Sequence, residues 1–341
     1  MVRGILSYPN YTNEMINNIG LVGGAGYIGS KASHFLSNMK KNVTVYDTFY
    51  FENKNFFKEN NIKTIYYDSR EKNYEIFNDL DLVIDLASIS NDPAGELDQE
   101  LTKSININGR INTIEACKAA GVKYYILASS CSVYGFNDSI VNEESEINPL
   151  TMYAKANSEV EKYLLNNRNN NFYPLIFRQA TVYGMSPRLR LDLVVNGMTF
   201  SAFKNKRLRM LRDGDQWRPL LGLEDLSHLF ANLEKEDFTK NAYEIFNIGF
   251  NENNFQIKDI GKKVLSSFQE NIEIEWYGEP DHRSYRVDFS KSEKILPIKK
   301  VNSIEDVSLE LLNYFKKNNT SADAIFYTLE WYKKLIAQKK L

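Results

Sequence analysis

Hydrophobic and polar positions along this chain follow two rhythms. Short apolar runs read as strands: "IGLVGG" from residue 19, "NVTVYD" ending at Asp47, then "DLVIDLAS", "YYILASS" and "FYPLIFRQA". Between them, "YIGSKASHFLSNM" and the stretches 99–120 and 152–168 carry helical spacing. Strand alternating with helix predicts an α/β fold with a doubly wound, Rossmann-type parallel sheet. The rhythm breaks after Gly184, where a basic, irregular stretch 186–222 precedes a return strand, "AYEIFNIGF". The expected organisation is an extension over residues 1–18 and a nucleotide-binding domain over 19–184, completed by 223–250. A smaller, discontinuous C-terminal substrate domain takes 185–222 and 251–341. The last segment, "DAIFYTLEWYKKLIAQ", predicts an amphipathic helix that packs on the core or meets another subunit.

Charge adds little to this picture. The 341 residues hold 42 Lys+Arg against 44 Asp+Glu, which makes no electrostatic case for nucleic acid or an anionic membrane. No apolar run approaches the ~18 residues of a membrane span. Two cysteines, Cys117 and Cys131, without ligand spacing, and the three histidines His34, His228 and His282 suggest neither disulfides nor a metal site. A reduced, cytoplasmic protein is expected.

Gly23, Gly26 and Gly29 sit at the first strand-to-helix turn, where glycine lets backbone approach a pyrophosphate and the helix N-terminus offers amides. Asp47 ends the next strand eighteen residues after Gly29, placed to accept the adenosine ribose hydroxyls and repel a 2′-phosphate. The pattern favours NAD over NADP.

The stretches "GGAGYIGS", "VIDLAS", "NINGRINTIEACKAAGVKYYILASSCSVYG", "YAKANSEVEKYL", "FRQATVYG", "WRPLLGLEDL" and "DHRSYRV" occur in that order. Together they resemble the extended short-chain dehydrogenase/reductase family of nucleotide-sugar epimerases and dehydratases. The resemblance implies a tightly held NAD, a nucleotide-linked sugar as substrate, GDP- or UDP-linked, and hydride transfer from the sugar C4. It implies Ser130 and Tyr153 as the catalytic pair, with Asn157 at the position of the family's catalytic lysine. Leu86, Ala87 and Ser88 match the segment under the cofactor, and Asn106 the asparagine that steadies the active-site helix. Tyr27, Ile28, Asp68, Ser69, Ser129 and Tyr153 join the candidate cofactor contacts. Thr181, Arg218 and Arg283 match substrate positions, and Ser90, Asn91, Ser130 and Arg190 complete that set. The resemblance also implies a homodimer through helices 99–120 and 152–168.

The chemistry needs these types. Oxidising an alcohol requires a base for the hydroxyl proton as the hydride leaves. A tyrosinate serves if its pKa, ~10 when unperturbed, is lowered. The family lysine does this, but Asn157 brings no charge. The expectation is that Asn157 still holds the cofactor ribose while the enzyme works more slowly or at higher pH. Cys131 and Ser132 stand where the family's dehydratases carry Asp-Glu, which argues against 4,6-dehydration. Gly222 replaces a histidine usual in relatives, a change expected to affect packing. The expected activity is NAD-dependent oxidation at C4, as a 4-epimerase or C4 dehydrogenase, and the Asn- and Lys-rich composition suggests bacterial surface-polysaccharide synthesis. The alternatives are a keto-sugar reductase and a non-catalytic NAD-binding protein.

Overall fold

The computed structural model describes residues 16–279 and 284–341. Seven parallel strands form the central sheet. They are β1 (Asn18–Val22), β2 (Asn42–Asp47), β3 (Ile62–Tyr66), β4 (Leu82–Asp85), β5 (Tyr124–Ser130), β6 (Tyr173–Gln179) and β7 (Ile245–Ile248). Their spatial order is β7-β6-β5-β4-β1-β2-β3. The order reverses between β1 and β4, which opens a crevice at the strands' carboxyl ends, where ligands bind in such sheets.

The reason for the sheet is legible in its residues. β4 reads LVID with every position buried, as a strand covered on both faces must be. Helices α1 (Tyr27–Asn38), α2 (Arg110–Ala119) and α3 (Met152–Asn166) cover the faces. β3 escaped the sequence reading: it is a short edge strand of mixed polarity, "IKTIY", with no fully buried position. The helix expected over 99–120 is interrupted. Its turn at Ser104–Gly109 widens to a π-turn, which carries Asn106 inward against the loop after β4.

A second hydrophobic core lies beside the sheet. Helices α4 (Val194–Asn205), α5 (Ile257–Leu265) and α6 (Ile304–Asn318) contribute Val195, Phe200, Ile260, Val264, Leu311 and Phe315 to it. Ser303 and Asp306 close the start of α6 with reciprocal side-chain bonds. The last helix, α7 (Thr328–Ala337), packs onto the loops that follow β2 and β4: Trp331, Tyr332 and Leu335 bury against Ile89 and Ala94, with Tyr50 and Phe51 alongside. Trp331 Nε1 donates to the Tyr50 carbonyl at 2.8 Å. This end of the chain therefore roofs the crevice. At Gly222, an added side chain would meet the Asp225 carboxylate at 2.5 Å, so the residue serves packing. Among the described residues, no helix is long and apolar enough to cross a membrane.

Candidate functional site

A cleft of about 1010 Å³ runs along the carboxyl ends of the strands. Its cofactor half starts at the turn from β1 to α1. Gly23 has φ of +71°, and a Cβ there would lie 2.7 Å from the Ala87 backbone, so only glycine fits. The amides of Tyr27 and Ile28 open α1 with no side-chain cap, leaving donors for an anion. Asp47 accepts from the Ala25 amide at 3.0 Å and the Phe49 amide at 2.8 Å, which ties the end of β2 to the glycine loop. Burial raises the Asp47 pKa against the pull of these amides. Asp68 lines the same cleft but is held by Arg70 at 2.6 Å. Gly26, Gly29, Ser69, Leu86, Ala87, Ser88 and Ser129 also line it.

Ser130 ends β5, and Tyr153 stands in the first turn of α3, which Thr151 caps by accepting from the Ala154 amide at 3.2 Å. Both line the cleft. Burial raises the Tyr153 pKa, while the Ser130 hydroxyl, the Arg110 charge and the Asn157 amide oppose the rise. Ser132 lines the cleft as well, whereas Cys131 is fully buried with its Sγ on the Arg178 carbonyl at 3.1 Å.

Elsewhere along the cleft, Ser90, Asn91 and Arg190 gather around Asp192, a residue the sequence did not mark. Arg190 grips both Asp192 oxygens at 2.9 Å and donates to Ser90 Oγ at 3.1 Å, and Asn91 donates to Asp192 at 2.8 Å. Thr181 and Arg218 line the same cleft. Arg283 lies outside the described residues.

Two expected contacts sit elsewhere. Asn106 does not reach the cleft: its amide is taken by the Ile89 backbone, at 2.8 Å to the N–H and 3.1 Å to the carbonyl. It fixes the loop that follows β4. Asn157 is 2% exposed and also lies off the cleft wall. Its Oδ1 accepts from Arg110 Nη1 at 2.9 Å, and its Nδ2 donates to the Tyr153 carbonyl at 3.1 Å. One bond at each end holds the amide in place, and its second N–H remains on the Tyr153 side of α3.

Sequence reasoning missed two arginines. Arg110 is buried between β4, β5 and α3, and a charged residue on a helix ordinarily reads as solvated. Arg188 lies in the irregular basic stretch, with its guanidinium 3.7 Å over the Phe51 ring under the roof of α7. Its Nη2 reaches Thr328 Oγ1 at 3.4 Å, while Nε and Nη1 find no partner among the described residues. Burial, helped by Arg190, pushes its pKa down to about 9. A buried cation with open donors beside Asp47 and Tyr27 suits a ligand anion. Among the described residues, no cluster of His, Cys, Asp and Glu could hold a metal ion.

Comparison with known proteins follows the same lines. Residues 19–249 match the model of the NAD dependent epimerase/dehydratase family. A UDP-glucuronate 4-epimerase of Thermodesulfobacterium geofontis is 28% identical over 230 residues, covering 62% of this chain and 65% of that enzyme. A dTDP-D-glucose 4,6-dehydratase of Dictyostelium discoideum is 27% identical over 290 residues, covering 75% of this chain and 63% of that one. Among solved structures, UDP-glucuronic acid 4-epimerase from Bacillus cereus, bound to UDP-glucuronic acid and NAD, superposes with a TM-score of 0.78. It is 24% identical and covers 88% of this chain and 99% of that one, a likeness that shows the fold.

Proposed function

The chain belongs to the NAD-dependent epimerase/dehydratase family, and from that premise we propose that it oxidises C4 of a nucleotide-linked sugar, as a 4-epimerase or C4 dehydrogenase. The observation that carries this reading is the convergence of Ser130 and Tyr153 on one cleft with the glycine turn. The residues present fit NAD. Gly23 clears the approach, the start of α1 and Arg188 offer donors to a pyrophosphate, and Asp47 stands at the ribose end. When bound, NAD supplies the hydride acceptor.

Tyr153, as tyrosinate, takes the C4 hydroxyl proton, and Ser130 orients the same oxygen. Arg218 and Thr181 hold the nucleotide diphosphate, joined by Arg283 in this reading. Arg190 stays locked to Asp192 and shapes the sugar end with Ser90 and Asn91. A UDP-linked hexose or hexuronate is the first substrate to offer, since similar enzymes act on these, and GDP-linked sugars are the second. Dehydration is disfavoured because Cys131 is buried away from the cleft and Ser132 carries no carboxyl. A cytoplasmic homodimer serving surface-polysaccharide synthesis completes the proposal.

The test is incubation of the purified protein with UDP-glucuronate, UDP-glucose and GDP-sugars, with products separated and weighed. Epimer or keto-sugar should form, and Tyr153→Phe should lower turnover by at least ~10²-fold. Loss of the mass of one water from the sugar would place the enzyme among the dehydratases. No turnover with NAD bound would favour a non-catalytic role.

A further inference from the structure

The tyrosine at the centre of this site has lost its neighbouring lysine, yet a full positive charge is buried close by. Arg110 enters from α2 and is 1% exposed. One edge of its guanidinium faces away from α3: Nε meets Asp85 Oδ2 at 3.2 Å, and Nη2 meets the Asp85 carbonyl at 3.1 Å and the Ala128 carbonyl at 2.8 Å. The opposite corner, Nη1, reaches Asn157 on α3 at 2.9 Å. Asn157 in turn donates to the carbonyl of Tyr153, one helical turn back, at 3.1 Å. We infer that Arg110, from a different helix, supplies the positive charge that favours the tyrosinate form of Tyr153, and that Asn157 is the neutral clamp that fixes its guanidinium beneath the site.

Three features carry this. First, the charge is incompletely matched. Asp85 gives Arg110 a single 3.2 Å contact, while the same carboxylate also accepts from Tyr125 Oη at 2.7 Å and the Ala87 amide at 3.0 Å. Second, the path between Arg110 and Tyr153 is protein, where a charge acts further than in water. Third, Asn157 suits a neutral acceptor to Arg110, whereas a lysine there would set two cations in contact.

The other groups facing Tyr153 do not replace Arg110. Ser130 on β5 is neutral and Asp92, after β4, opposes the tyrosinate. Arg190 also acts on Tyr153, but its charge is closed off by both oxygens of Asp192. Tyr285, whose pKa burial raises, stays neutral. Arg110 is thus a positioning residue for charge and touches neither sugar nor cofactor.

The inference rests on the assigned role of Tyr153 as base, but its test needs no substrate. The near-ultraviolet absorbance of tyrosinate is titrated in the wild type and in Tyr153→Phe, and the difference reports one tyrosine. In Arg110→Gln, which keeps hydrogen-bond donors without charge, that ionisation should move up by about one to two pH units, the effect of a unit charge across several ångström at a dielectric near 20. The ascending limb of the pH–rate profile, set by ionisation of the base, should move with it. Arg110→Lys, which keeps the charge but loses the fork, should stay within about half a unit of wild type and carries the test if the glutamine variant does not fold. Arg110→Gln combined with Asn157→Lys should restore the wild-type ionisation. An unchanged titration in Arg110→Gln, or a rise in Arg110→Lys as large as a full charge loss, overturns the inference. If the titration shifts as expected while no sugar is turned over, the charge assignment stands and the proposed reaction fails.

Discussion

Two buried arginines flank β5, and they are used differently. On one side Arg178 of β6 meets Glu161 of α3 through three contacts, the shortest at 2.7 Å, and Tyr134 Oη at 2.9 Å. Glu161 also takes the Ser129 hydroxyl, and Tyr134 passes the chain on to Asn247 of β7 at 2.7 Å. Burial works against the Arg178 charge, but Glu161 outweighs it and holds the pKa above the ordinary value. That pair is closed and ties three strands to a helix. On the other side Arg110 has one carboxylate contact and spends its remaining donors on neutral oxygens. The same residue type therefore braces the sheet at one site and leaves a field at the other. The difference lies in how many carboxylate oxygens meet each guanidinium.

The largest expected effect follows from the closed pair. Arg178→Met strands Glu161 without its cation, and urea denaturation should show a loss of roughly 3–5 kcal/mol. A loss under 1 kcal/mol would mean the pair is not the brace described.

Asn157→Lys attacks the open side. An ammonium ~4 Å from Arg110 at an effective dielectric near 20 is repelled by ~4 kcal/mol, so a loss on the order of 2–4 kcal/mol is expected in the same measurement. Higher activity at neutral pH with undiminished stability would instead place the missing charge at position 157.

Arg188→Met removes a third buried arginine, one with no carboxylate in contact among the described residues. Stability should hold or rise, because the free protein gains nothing from the cation. Calorimetry should show NAD binding weakened by roughly 10–100-fold, the worth of a hydrogen bond to a charged group.

The smallest effect concerns a buried carboxylate without an arginine. Burial pushes the Asp225 pKa up to about 6, against the pull of the Val301 amide, which it meets at 2.7 Å. A folded pKa above the unfolded one means that stability falls as pH rises from about 4 through 6. Between pH 5 and pH 7 the loss is about 1 kcal/mol. Asp225→Asn should flatten that part of the stability curve.

Six of the seven sheet strands were readable from hydrophobic period, because a parallel sheet buries both faces and leaves uninterrupted apolar runs such as "LVID", whereas the edge strand β3, half polar, was not. The glycine turn, Asp47, Ser130 and Tyr153 were readable too, since local backbone geometry and fixed chemistry demand those types within a few residues. What tertiary structure decided is where charge resides. Arg110 and Asn157 are 47 positions apart, and nothing in either segment shows that they meet. Arg188 finds Phe51 and Thr328 from three separate regions of the chain. The widened turn that brings Asn106 to Ile89 leaves no mark in hydrophobic period either. Periodicity reports which face of an element is buried. It carries no information on which buried polar groups pair across elements, and electrostatics in a low dielectric depend on just those pairings.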